Sequence, residues 1–200
     1  MDFLRKNKEI KKPVLMGRFE YNSPVILTFA LICVAAYIIN AITAGRLNSE
    51  LLTCYPRSGI GIKPLLRSFL YIFGHAGLSH LTGNMTLFLL LGPIVEEKYG
   101  SGNLIIMIFS TAFITALVNN IFTTGIIGAS GIVFMLIILS AFTSQKSDKI
   151  PISLILVFLI YVGGEIVTGL TAHDNVSQFG HIAGGFCGLG WGMVFKRTSG

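Results

Sequence analysis

Apolar runs separated by short polar breaks divide the chain into membrane-length pieces. A bilayer span needs roughly 20 predominantly apolar residues, with about 17–25 tolerated. The first such run covers residues 24–44. A polar loop over 45–62 follows, carrying Asn48, Ser49, Glu50, Pro56 and Arg57. The next apolar stretch, 64–95, is too long for one straight crossing and breaks at Gly74-His75-Ala76-Gly77. It divides into an interfacial segment over 65–73, with Arg67 and Tyr71, and a second span over 79–95. Glu96, Glu97, Lys98 and residues 100–103 close that span. A third span covers 104–122, a fourth 129–144, a fifth 150–170 and a sixth 179–195, which Lys196 and Arg197 close. No soluble domain, long-period repeat or low-complexity tract interrupts the series.

Composition agrees with an all-α membrane protein. Of 200 residues, 52% are hydrophobic and 12% charged, with mean hydropathy +0.74; a soluble domain carries about 25% charged residues. The net charge of +6 does not point to nucleic acid, because six of the fifteen Lys/Arg sit in the first eighteen residues and no basic-aromatic patch follows. That cluster reads as a cytoplasmic anchor. With the N-terminus inside, eleven of the fifteen cations fall on inner segments, and only Arg46, Arg57, Lys63 and Arg67 fall outside. Both termini are therefore expected in the cytoplasm, around a short basic tail (1–22), one membrane domain (23–197) and a brief C-terminal tail (198–200). The first run is too extended, after too long a charged lead, for a cleaved signal peptide, so it reads as a retained helix. Cys33, Cys54 and Cys187 are too few and too scattered for a disulfide framework or a zinc site, and no metal or cofactor is expected.

This orientation makes the second, fourth and sixth spans run from outside to inside, so their starts share one outer depth. The second brings His80 and Asn84, which at i and i+4 lie on one helix face. The fourth opens with Gly128-Ala129-Ser130-Gly131, and the sixth brings His181. A hydroxyl flanked by residues with little side chain leaves room for a substrate backbone, and glycine permits unusual φ/ψ. A neutral imidazole can take the hydroxyl proton at neutral pH and return it to a leaving amine. A second histidine with an amide supplies donors for a developing oxyanion, and the Ser130 N–H, near a helix N-terminus, adds another. Gly184, Gly188 and Gly192 recur every fourth residue, a face that lets membrane helices touch at the backbone. His181 lies three residues before Gly184, on or near that face.

Each feature alone favours structure over chemistry. Gly/Ser clusters in membranes more often mark close helix packing. A lone His in a span is more often an interhelical hydrogen-bonder, and Asn84 alone is more often packing glue. His173 and Asp174 are most simply solvated loop residues, and Glu165 is more simply paired or wet. Asn119 and Asn120 face protein or water. The co-location of Ser, two His and Asn on three co-directional spans is what tips the reading to a site.

At this point the chain resembles the rhomboid intramembrane serine proteases, over residues 24–196. The matching pieces are His75-x4-His80-x3-Asn84, Glu96-x3-Gly100, Gly128-Ala129-Ser130-Gly131, and Gly180-His181 with Gly184 and Gly188. The resemblance implies a six-helix bundle, a segment between the first two spans that dips into the outer leaflet, and a Ser130–His181 dyad without a third acid. It implies oxyanion contacts from His80, Asn84 and the Ser130 amide, and a Phe134 ring against His181. Arg67 matches the arginine of a Trp-Arg pair, but Leu66 stands in the Trp position, a departure in the dipping segment. Implied substrates are single-pass membrane proteins cut in or near their transmembrane segment, next to small residues where the helix unwinds easily. The setting implied is a prokaryotic plasma membrane, with one copy of the chain sufficient.

Other intramembrane protease chemistries find no support, since the chain has no His-Glu-x-x-His and no Gly-x-Gly-Asp. The alternative from another class is a catalytically silent rhomboid-like binder of membrane helices, expected to lack the serine or the histidine. A transporter would show inverted repeats or broken helices with midplane polar residues, whereas here the polar layer sits at one end.

Overall fold

The computed structural model describes residues 21–121, 125–143, 152–153, 155–157, 159–160, 163 and 178–198. Within them α1 is Pro24–Ile42, α2 Ile62–Leu70, α3 Leu78–Tyr99, α4 Ser101–Asn119, α5 Ser130–Thr143 and α6 Gln178–Thr198. Among the described residues three helices (α1, α3 and α4) are long and apolar enough to cross a membrane, and α5 is a shorter apolar helix. Of the expected fifth span only scattered positions between 152 and 163 are described, all helical. Glu165, His173, Asp174, the Lys146/Lys149 turn and most of both tails lie outside the described residues.

The expected break at Gly74 is present and has a packing cause. A Cβ on Gly74 would lie 2.8 Å from both Ile127 and Leu52 side-chain atoms, so only glycine lets three loops meet there. Before it, α2 and a 3-10 turn, Tyr71–Phe73, form the interfacial segment. Apolar Ile62, Leu65 and Leu66 are exposed on α2. Phe69 turns the other way, stacking at 5.3 Å on Phe113 of α4.

One expectation is corrected. The second span does not stop at Glu96, and residues 101–103 are not loop: α3 continues to Tyr99 and α4 starts at Ser101. Gly100, with φ +81°, makes the reversal in one residue, a conformation glycine adopts without penalty, and its N–H donates to the Glu96 carbonyl at 2.8 Å. Glu96 does not mark an exit to water. It is buried, and its carboxylate accepts from the N–H groups of Val25 and Ile26, both 3.1 Å, and from Ser101 Oγ at 2.7 Å. A helix N-terminus leaves four N–H groups without intrahelical partners and carries partial positive charge. Glu96 satisfies two of them on α1 from a neighbouring helix, so the start of α1 is pinned to the end of α3.

Arg67, with Leu66 where the family's tryptophan would stand, finds its aromatic partner elsewhere. Its guanidinium lies 4.9 Å from the centroid of the Tyr55 ring and donates to the Ser49 and Glu50 carbonyls, each at 2.9 Å. The aromatic partner comes from twelve residues upstream and not from position 66. Cation–π contact and two carbonyl bonds tie α2 to the π-helical turn Asn48–Leu52.

The core is formed by α5, buried on nearly every side by Ile132, Val133, Met135, Leu136, Ile138 and Leu139. Against it α6 lays its glycine face. A Cβ on Gly184 would collide with the Gly131 carbonyl, one on Gly188 would lie 2.6 Å from the Met135 carbonyl oxygen, and one on Gly192 would enter the Phe142 ring. Backbone therefore touches backbone over two turns, the close approach that small residues permit between apolar helices.

Candidate active site

That α5–α6 contact decides the geometry of the polar layer. Ser130 is the first residue of α5, and His181 lies on α6 one turn before Gly184, the glycine seated on Gly131. Ser130 Oγ and His181 Nε2 are 2.7 Å apart. The Phe134 ring, one turn into α5, stacks on the imidazole at 4.7 Å between centroids and 6° between planes. The histidine is thus held by a hydrogen bond at one edge and by an aromatic face.

Gly128 sets the other side. Its φ is +116°, outside the range of ordinary L residues, and its N–H donates to the Tyr71 carbonyl at 2.9 Å. A Cβ there would lie 2.6 Å from His80 Cε1, 2.7 Å from His80 Nε2 and 3.5 Å from Asn84 Nδ2. A Cβ at 128 would strike the His80 ring, so glycine is what lets that ring lie so close to the loop that carries Ser130. Asn84 Nδ2 is buried and has no hydrogen-bond partner among the described residues, an arrangement that ordinarily costs about 1–3 kcal/mol. As first residue of its helix, Ser130 has no acceptor for its N–H within α5.

Ser130, His181, His80, Asn84, Gly128, Gly131 and Phe134 all line one cavity of about 640 Å³. Gly184 and Gly188 act from behind it, in the helix contact. The antiparallel bridge Cys54–Ile126, with two N–H···O bonds of 2.9 Å, fastens the approach to Ser130 onto the loop after α1.

Two contributors were not legible as site residues. Tyr71 and Thr115 are buried, share a hydrogen bond between their hydroxyls and line the cavity floor; hydroxyls at i and i+4 in an apolar run (Thr111, Thr115) are the signal that could have found the second. His75 is 1% exposed and meets the His80 ring edge-on, centroids 5.1 Å apart. Its Nδ1 lies 3.3 Å from the Phe73 carbonyl, which can only accept, so Nδ1 carries the proton. Burial, then the neighbouring His80, push the His75 imidazole down to about 4, and it is neutral at physiological pH.

The Rhomboid domain pattern matches residues 63–198, more than half of the chain. The chain is also similar to rhomboid protease GlpG of Salmonella typhi, of Salmonella newport (strain SL254) and of Salmonella typhimurium (strain LT2), 28% identical over 185 residues in each case. Those residues cover 91% of this chain and 67% of each relative. With its apolar helices the protein is an integral membrane protein. Taken with a serine, a histidine and their glycine-lined contact, these matches lead to one conclusion: the chain belongs to the rhomboid family of membrane-embedded serine proteases.

Proposed function

We propose that the protein is an endopeptidase that cuts transmembrane segments of single-pass membrane proteins near the outer leaflet, with Ser130 as nucleophile and His181 as general base. The observation that carries the reading is the 2.7 Å contact between Ser130 Oγ and His181 Nε2, inside the range of about 2.6–3.2 Å that proton transfer requires. With its proton on Nδ1, His181 presents a bare Nε2 to the hydroxyl. Attack on a peptide carbonyl forms the Oγ–C bond as the proton passes to Nε2. The imidazolium then protonates the leaving amine, and water attacks the acyl-enzyme by the same route. Charge developing on the carbonyl oxygen meets the Asn84 amide, the His80 ring and the Ser130 N–H. The Asn84 donor, buried without a partner, has its strongest interaction reserved for the transition state. No third acid enters the scheme, and the stacked Phe134 ring takes over the orienting role.

The depth is physically workable. The irregular backbone before α5 lines the cavity, and non-helical backbone at membrane depth is tolerated only where it is buried in protein or borders water. A substrate carbonyl inside a helix is hydrogen-bonded and shielded, so glycine or proline that weakens the helix exposes it. The charge bias favours both termini in the cytoplasm and the site in the outer half of the membrane; the proposed setting is a prokaryotic plasma membrane and a six-span bundle, with one copy assumed sufficient. Reaction with a fluorophosphonate, followed by mapping of the labelled residue, tests the nucleophile directly. Labelling at Ser130 and loss of cleavage in both Ser130→Ala and His181→Ala is the expected result, and undiminished cleavage by Ser130→Ala refutes it.

A further inference from the structure

The backbone leading to Ser130 is gripped by the connection between α1 and α3. Ile127 and Leu52 converge on Gly74, and the Gly128 N–H donates to the Tyr71 carbonyl. Ile126 exchanges two N–H···O bonds with Cys54. Leu52, Cys54, Tyr71 and Ile126 are buried, so these grips belong to the core. Gly125 is held differently. A Cβ there would lie 3.2 Å from Tyr55 Cδ1, 3.5 Å from Tyr55 Cε1 and 3.2 Å from the Thr53 methyl group. The Tyr55 ring therefore rests against the Gly125 backbone. Yet the residue is 40% exposed, and core packing alone does not fix it.

What fixes the ring is Arg67. Its guanidinium lies over the ring, 4.9 Å from the centroid, while it donates to the Ser49 and Glu50 carbonyls at 2.9 Å each. A planar guanidinium can stack on an aromatic face and keep its donors for oxygen at the same time. Two residues beyond Tyr55 there is a second tie. Arg57 has φ +54°, uncommon for a residue with a Cβ, and its N–H donates to Asn120 Oδ1 at 2.6 Å. Uncommon backbone conformations persist where the surroundings over-determine them, and they cluster at functional sites. Asn120 closes α4. Residues 53–57 thus strap both ends of the connection from α4 to α5, at Asn120 and at Gly125 and Ile126.

We propose that Tyr55 is a positioning residue for the nucleophile: its ring, held by Arg67, fixes Gly125 and with it the segment that delivers Ser130 to His181. The inference rests on the reaction geometry under Proposed function. Gly125, Ile126, Ile127 and Gly128 line the cavity, and Tyr55 is not among its lining residues, so the ring acts through the segment and not on the reacting atoms. The Ser130–His181 contact stands at 2.7 Å. A displacement of about 1 Å costs on the order of 10²-fold in rate, so loosening one grip out of several is expected to cost about tenfold.

The test compares purified Tyr55→Phe, Tyr55→Leu and Arg67→Gln with the wild type. Three readings are taken: the rate of Ser130 labelling by a fluorophosphonate, kcat and KM on a single-pass transmembrane substrate, and thermal unfolding. Tyr55→Phe keeps the ring and should label and cleave like the wild type. Tyr55→Leu keeps apolar bulk without a ring face, and should slow labelling and lower kcat about tenfold at unchanged KM. Arg67→Gln should do the same, and the double variant should be no slower than the slower single one, because the two side chains act as a unit. Wild-type labelling by Tyr55→Leu overturns the proposal, as does equal slowing in Tyr55→Phe. A raised KM with kcat unchanged also overturns it, since that places the ring on the substrate. If Tyr55→Leu no longer unfolds cooperatively, Arg67→Gln decides: slowed labelling in a cooperatively unfolding protein supports the assignment, and wild-type labelling overturns it. Failure of the underlying reading looks different: Ser130→Ala would cleave like the wild type and the label would map elsewhere.

Discussion

Replacing Gly184 by alanine adds one methyl group, and the structure says what it must displace. The new Cβ would lie 2.8 Å from the carbonyl carbon and 2.9 Å from the Cα of Gly131, and closer still to that carbonyl's oxygen. Carbon atoms rest at about 3.5–4.0 Å, and every atom in the way is backbone, which cannot rotate aside. α6 must retreat from α5 by roughly 0.7 Å or more. The hydrogen bond between Ser130 and His181 stands at 2.7 Å and fails beyond about 3.2 Å, so its slack is about 0.5 Å. The required retreat exceeds the slack, and His181 is only one turn from the substituted residue. A misplacement of about 1 Å costs on the order of 10²-fold in rate, or about 2.7 kcal/mol of barrier. Stability moves less, because overpacking at about 1–3 kcal/mol is offset by about 1 kcal/mol of helix propensity. Cleavage of a transmembrane substrate should therefore fall about hundredfold while the protein still unfolds cooperatively. Gly190→Ala is the matched control, since a Cβ there meets nothing within 4 Å, and its rate should stay near wild type. A Gly184→Ala enzyme that keeps full rate would refute the claim that backbone contact between α5 and α6 sets the dyad distance.

Asn84→Ala should trade function for stability: cleavage falls by up to about 10²–10³-fold, less if the other donors compensate, while thermal stability holds or rises because a buried amide without a partner is removed. A stability loss with unchanged rate would assign Asn84 to packing alone. Glu96→Ala should destabilise the protein by about 2 kcal/mol or more, since charge-assisted bonds to the N-terminus of α1 are each worth about 1.5–3 kcal/mol, and Glu96→Gln should recover part of it; equal stability of all three proteins would exclude the capping role. His75 has a folded pKa lowered to about 4 against about 6.5 in an unfolded chain. Between these values the unfolded state binds the extra proton, so the stability it contributes is complete above about pH 6.5 and is lost as pH falls toward 4. Denaturation followed from pH 7.5 to 4.5 should show that decline in the wild type and a flatter one in His75→Phe, and parallel curves would contradict it.

The span near 24–42 could be read from the chain because hydropathy is local: lipid selects apolar runs of fixed length whatever they pack against. The break at Gly74 and the opening of α5 at Ser130 were equally legible, since glycine and short polar groups mark where an apolar run must stop. The end of α3 was misjudged because Glu96 looks solvated by its charge, yet the N–H groups that satisfy it belong to Val25 and Ile26, seventy residues away. Leu66 leaves Arg67 without the adjacent ring of the family pattern, and its ring partner, Tyr55, arrives through a loop fold that no nearest-neighbour rule anticipates.

By itself, then, the order of residues determined an all-helical membrane protein, the family motifs, and which side chains share a depth. Depth follows from counting residues along each span. Distance across spans does not, and it was decided by the tertiary contact of three glycines on α6 with the backbone and core of α5, which draws His181 to within a hydrogen bond of Ser130.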